Sequence, residues 1–206
     1  MKLSLDHLVI CADTLAAGSA WVEQVLGVAP EPGGRHVAMG THNRLLSLGP
    51  DIYLEVIAID PEAPPPGRAR WFDLDRAAGA PRLRNWVVKC NDLEAAIRTA
   101  PGGIGAVMDL ERGDLRWRMA VPQNGCLPFG GAYPGLLRWQ GSVHPAERLT
   151  DCDCLLRELR ITHPDAEALR ACLEPVMDLR RIAISTGPDV CFQAEIDTPG
   201  GVKVLQ

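Results

Sequence analysis

No apolar run in this sequence approaches the roughly 20 residues that a membrane-spanning helix needs. Positive charge is also scarce: 21 Lys and Arg stand against 26 Asp and Glu, a formal net charge of -5. That balance argues against a nucleic-acid partner, which calls for a basic stripe to neutralise phosphates. The opening residues, Met1 to His7, turn polar before a secretory apolar core develops, so no leader is expected. Seven cysteines, odd in number and irregular in spacing, make no disulfide framework. Cys11, Cys90, Cys172 and Cys191 sit in apolar patterns as small buried hydrophobes, which implies reduced thiols and a cytoplasmic location. Cys152 and Cys154 lack a second Cys/His pair, so they read either as a poor zinc signal or as a turn entering a strand. No Gly-x-Ser-x-Gly elbow or P-loop occurs. Gly102-Gly103-Ile104-Gly105 follows a predicted helix rather than preceding one, the wrong order for a dinucleotide loop.

The composition that remains is globular, with 23% charged residues and a mean hydropathy near zero. Its 206 residues suffice for one large domain or two small intimate ones. Leu5 to Ala12 reads as a strand. Asp13 and Thr14 offer N-caps to a helix whose Leu15, Val22 and Leu26 share a face, and Gly27 closes it. Strands are predicted at 35–39, 43–48 and 52–59, separated by turn signals. The result is a β-α-β-β-β unit over 1–60.

A stiff Pro/Arg-rich connector over 61–84 follows, irregular apart from a helical turn around Trp71 to Arg76. The pattern then recurs. Asn85-Trp86-Val87-Val88-Lys89-Cys90 lies on Asp6-His7-Leu8-Val9-Ile10-Cys11 without a gap, and Asn91 with Glu94 makes a capping-box-like helix start. Strands predicted at 105–111, 115–121 and 135–140 complete a second unit over 85–150, and the Gly/Pro-rich loop 122–134 is expected over a cleft mouth. A third, shorter copy occupies 151–206, with strands at 181–185, 190–196 and 201–205. The expected fold is α+β: repeated βαβββ units forming curved mixed sheets around a cleft, helices outside.

Such units, opening on Asp6-His7-Leu8-Val9 and continuing through Gly40-Thr41-His42-Asn43, Leu48-Gly49 and Tyr53-Leu54-Glu55, resemble the vicinal oxygen chelate superfamily. More narrowly, they resemble its glyoxalase-like domain family. Leu136-Leu137-Arg138-Trp139, His144-Pro145 and Thr198-Pro199-Gly200 extend the likeness along the chain. The resemblance implies a cleft between paired units, with a His from the first strand and a Glu from the last strand of each unit as metal ligands. His7 and Glu55 hold those two places in the first unit. In the gapless overlay the second unit offers Trp86 and Arg138, and the third Glu158 and Val204. The expectation is therefore an incomplete site: no resident cofactor, or a divalent transition metal on His7 and Glu55 alone. Arg138 is expected to face Glu55 and to replace the missing cation.

His7 and Glu55 are thus the candidate catalytic residues, since an inward carboxylate and imidazole on apolar strands need partners or a purpose. His36, His42 and Asn43, from the middle strands, and Trp86, Arg118, Arg138 and Trp139, from the second unit, are candidate substrate contacts. Each also has a plain alternative: a turn for His42-Asn43, core packing for the tryptophans, and a solvated edge for Arg116 and Arg118. His144 and His163, each preceding Pro, read as structural. The function implied is a glyoxalase-like lyase, isomerase or related enzyme acting on an oxygen-rich small molecule. The alternatives are a non-catalytic sequestering protein of the bleomycin-resistance type and an interaction module with a decayed site. Neither nucleic acid nor membrane is expected as partner, and a homodimer fits the reading.

Overall fold

In the computed structural model, which describes residues 2–77 and 79–206, the repeat is laid out as strands around a curled sheet. The first unit contains β1 (Ser4–Cys11), α1 (Leu15–Leu26), β2 (Glu31–His36), β3 (Thr41–Ser47) and β4 (Tyr53–Ile59). The second contains β5 (Arg82–Lys89), α2 (Leu93–Thr99), β6 (Ala106–Arg112), β7 (Leu115–Val121) and β8 (Gly135–Gln140). Thr14 caps α1 by accepting from the Ala17 N–H at 3.1 Å, and Gly27, at φ 75°, closes it in the left-handed region that glycine adopts without strain. Asp92, rather than Asn91, caps α2.

Both units use one pairing scheme. The eight strands run β2-β3-β4-β1-β5-β8-β7-β6, so each unit has its first strand parallel to its last. β1 and β5 join the halves antiparallel. The sheet curls until its edge strands β2 and β6 approach each other, and the Arg112 stem lies over Gly34. That curl makes the cleft.

The third unit is complete: β9 (Leu155–His163), α3 (Ala166–Leu173), β10 (Ile182–Thr186), β11 (Cys191–Thr198) and β12 (Gly201–Leu205). It forms a separate sheet in the order β10-β9-β11-β12. One apolar core runs through all three units, from Leu8, Ile10 and Leu54 through Val88 and Leu136 to Leu159 and Ala194. Among the described residues no helix is long and apolar enough to cross a membrane.

Two local expectations need correction. β2 begins at Glu31, not at residue 35, and Val37–Met39 is a 3-10 turn with Val37 79% exposed. Pro32, Gly33 and Gly34 disguise the strand; a bulged edge strand tolerates them because a missing donor there breaks no central ladder. The loop 122–134 does not form the cleft wall. It buries Leu127, Ala132 and Tyr133, and its Gly125 carbonyl accepts from the Asp73 N–H at 3.0 Å, bracing the connector segment that does line the cleft.

Candidate active site

The site begins with a bulge in β1. Leu5 pairs with Val88 and His7 with Val87, so Asp6 is the extra residue in the ladder. Neighbouring strand residues ordinarily face opposite ways; the bulge lets Asp6 and His7 serve one network. The His7 Nδ1 lies 2.6 Å from Asp6 Oδ1. Asp6 Oδ2 accepts from the Trp139 indole N–H at 2.8 Å and lies 2.9 Å from His144 Nε2. His144 Nδ1 accepts from the Ala146 N–H, so its proton is on Nε2 and points at Asp6. A fully buried carboxylate is thereby matched by three donors.

On its other side His7 faces Glu55, brought alongside by the parallel pairing of β1 with β4. His7 Nε2 and Glu55 Oε2 are 3.6 Å apart, an ion pair too long for a direct hydrogen bond. Glu55 Oε1 accepts from Asn43 Nδ2 and lies 4.0 Å from His36 Nε2. Asn43 in turn accepts from the Gly34 N–H at 2.9 Å. A Cβ at Gly33 would fall 2.1 Å from the Asn43 amide oxygen, so Gly33 makes room for this clamp.

The electrostatics follow. Burial opposes the charge on Asp6, but hydrogen bonds to His144 and His7 outweigh it and keep the carboxyl ionised. Burial likewise opposes the charge on His7; its bond to Asp6 and the two flanking carboxylates overcome that and lift it to about 9. Glu55 is lowered despite burial, by His7, His36 and Asn43. His36 is pushed down to about 4, chiefly by burial, and stays neutral, with Nδ1 3.1 Å from the Thr41 hydroxyl. At neutral pH the site therefore holds a carboxylate, Glu55, next to an imidazolium, His7.

Both groups open onto a cleft of about 330 Å³ of empty space, part of it reaching solvent. His7, His36, Glu55, Tyr53 and Arg112 supply its polar lining. Trp71, Phe72, Trp117, Met119, Leu137 and Trp139 supply its apolar walls. Tyr53 stacks on His7 with ring centroids 4.6 Å apart. Trp71 and Phe72 come from the connector, where Phe72 and Asp73 have φ of 57° and 55°, a costly backbone state held by the Gly125 contact.

The structure brings His7, His36, Asn43, Glu55 and Trp139 together. It does not bring His42, Trp86, Arg118 or Arg138 to them. His42 alternates with Asn43 on β3 and is not part of the cleft lining. Trp86 is buried away from the cleft, its indole N–H donating to the Ala132 carbonyl at 2.9 Å. Arg138 is exposed and pairs across the ladder with Arg118, which bonds Glu94 of α2 on the helix side. The expected Arg138–Glu55 pair is therefore absent: the cation facing Glu55 is His7.

The reason is a one-residue slip in the overlay. His7 pairs with Tyr53 and Val9 with Glu55 in the first unit; Val87 pairs with Gly135 and Lys89 with Leu137 in the second. Because Leu137 lines the cleft as Glu55 does, Val87 and Leu137 are the counterparts of His7 and Glu55, one residue away from Trp86 and Arg138. Sequence reading also missed Arg112, Trp71, Phe72 and Trp117, and treated His144 as structural. Asp6 had a signal, a charge next to His7 in an otherwise apolar strand.

The glyoxalase-like domain family profile matches residues 5–177, spanning both halves of the eight-stranded sheet and entering the third unit. The chain belongs to the glyoxalase-like domain family. Among solved structures, this glyoxalase-like chain is similar to a hypothetical protein from Staphylococcus aureus. The TM-score is 0.66 at 14% identity, covering 92% of this chain and 88% of that one. Methylmalonyl-CoA epimerase from Mycobacterium tuberculosis overlays with TM-score 0.42 at 19% identity, covering 68% of this chain and 88% of that one. The Streptomyces coelicolor epimerase, solved with 2-nitronate-propionyl-CoA, gives 0.43 at 14%, covering 68% and 97%. At these identities the likeness concerns the fold alone. No curated protein matches by sequence.

The metal that members of the superfamily use finds a poor donor set here. The second unit contributes Val87 and Leu137 at the ligand places, and neither can bind a cation. Asp6 holds His7 through Nδ1 and Asn43 holds Glu55 through Oε1, leaving His7 Nε2 and Glu55 Oε2 facing each other. Among the described residues no three His, Cys, Asp or Glu side chains are grouped to hold a metal ion. The second unit therefore adds no metal ligand to His7 and Glu55.

Proposed function

We propose that this glyoxalase-like chain is a small-molecule enzyme of lyase or isomerase type, moving a proton on an oxygen-rich substrate without a resident metal. The observation that carries the reading is the buried Asp6–His7–Glu55 series ending in the cleft. Two groups whose surroundings drive their pKa values apart are suited to opposite roles. Glu55, ionised, takes a proton from a carbon next to a carbonyl. His7, protonated and held by Asp6, offers its Nε2–H to the oxyanion that forms. Trp139 and His144 fix Asp6 and so act as positioning residues. A reducing, cytoplasmic location accords with seven free cysteines.

Deuterium exchange at carbon, followed by NMR over a panel of 2-oxo acids, 2-hydroxy ketones and their esters, tests this reading. Glu55→Gln should slow exchange by about 10²–10⁴-fold and preserve binding. Exchange that survives in the variant overturns the assignment.

The sequestering alternative is favoured by one observation, the aromatic walls of Trp71, Trp117 and Trp139. It predicts tight binding with no exchange on any compound, lost in Trp117→Ala. Trp139 is a poor probe because its indole holds Asp6.

A further inference from the structure

We infer that the cleft selects a small organic carboxylate, held by the Arg112 guanidinium and the Trp71 indole N–H. The inference rests on reading the cleft as a small-molecule site.

Arg112 ends β6, is only 9% exposed, and lines the cleft. Among the described residues its guanidinium has neither an ion pair nor a hydrogen bond, whereas Arg116 and Arg118 of neighbouring β7 are both paired. Its stem is fixed: a Cβ on Gly34 would come within 2.8 Å of Arg112 Cγ and 2.9 Å of Cδ. The head is therefore directed by packing rather than by a partner, and its charge is felt by His36 and Tyr53 in the same lining.

The second observation is independent. Among the described residues, Trp71 Nε1 is the buried side-chain polar atom without a hydrogen-bond partner. Trp71 comes from the connector, not from the sheet, yet it lines the same cleft, edge-on to His36 with centroids 5.0 Å apart. The indole N–H is buried and left unpaired, which is costly, and the guanidinium, largely covered, keeps only a small opening, into the cleft it lines. Both are donors and neither can accept, so the missing group is an acceptor, and the cation makes it anionic. A guanidinium matches a carboxylate with two parallel hydrogen bonds. A phosphate dianion suits the cleft less, because Glu55 contributes a negative charge to the same lining.

Titration of the purified chain with benzoate, phenylacetate and 2-oxobutyrate, their methyl esters and inorganic phosphate tests this by calorimetry and tryptophan fluorescence. The carboxylates should bind at least about tenfold tighter than the esters or phosphate. Arg112→Met should lose about tenfold or more for carboxylates and leave ester affinity unchanged, Arg112→Lys should retain part, and Trp71→Phe should lose less than Arg112→Met. If Arg112→Met proves unfolded by its thermal transition, Gly34→Ala, which displaces the Arg112 stem, should give the same selective loss. Equal affinity for esters, preference for phosphate, no binding by wild type, or unchanged carboxylate binding in a folded Arg112→Met overturns the inference. Carboxylate binding that depends on Arg112 without any exchange chemistry sinks the catalytic reading alone. Exchange on neutral ketones without carboxylate preference sinks the carboxylate site alone.

Discussion

Trp139 of β8 donates its indole N–H to Asp6 of β1 at 2.8 Å, joining the two halves of the sheet at the buried carboxylate behind His7. The second unit thus contributes no metal ligand at the family's places but holds the carboxylate that sets the charge of His7.

Trp139→Phe keeps the ring and deletes that donor. Asp6 retains His7 and His144, so the fold survives, but one hydrogen bond to a buried charge is lost. Urea unfolding should show a loss of about 2 kcal/mol. Unchanged stability would mean the indole contributes only its area.

The pH dependence follows from the signs of the shifts. His7 titrates near 9 in the folded chain against an ordinary 6.5, so its contribution is fully present below about pH 6.5 and is lost as pH rises through 9. Its size is about 3 kcal/mol, shared with Asp6 and Glu55 rather than added to them. His36 runs the other way: lowered to about 4, it contributes fully above 6.5, and that contribution is lost as pH falls through 4. Asp6 and Glu55, both lowered, also lose their contributions on the acid side. Stability should peak near pH 6.5 to 7 and decline in both directions, and His7→Gln should flatten the alkaline limb. A wild-type urea midpoint that stays level from pH 7 to 9.5 contradicts the assignment of the proton to His7.

Arg138→Ala separates the register found here from the gapless overlay. Arg138 is exposed on the helix side, so the change should stay within about 0.5 kcal/mol and leave ligand affinity intact. A large loss of affinity would restore Arg138 to the cleft.

Much of this was open to sequence reading. The apolar runs in Leu8 to Cys11 and Tyr53 to Ile59, the caps at Thr14 and Gly27, and the recurrence at Asn85 follow local rules and carry the repeat and the fold class, while the pairing of His7 with Glu55 came from the family resemblance. Arg112 was not legible, because nothing in Leu-Glu-Arg-Gly at a strand end tells a surface arginine from one over a cleft. Its role arises only where β6 curls back against Gly34 of β2, 78 residues earlier in the chain. Trp71 was equally hidden in a connector whose path is decided by the Asp73–Gly125 bond.

The sequence by itself determined which segments are strands and placed a His and a Glu within two buried, largely apolar ones. Tertiary structure alone decided which face of the second unit meets them. A strand repeats every two residues, so a shift of one, here between Trp86 and Val87 and between Arg138 and Leu137, exchanges inside for outside. No local preference sets that shift; the bulge at Asp6 and the pairing of β5 with β8 do.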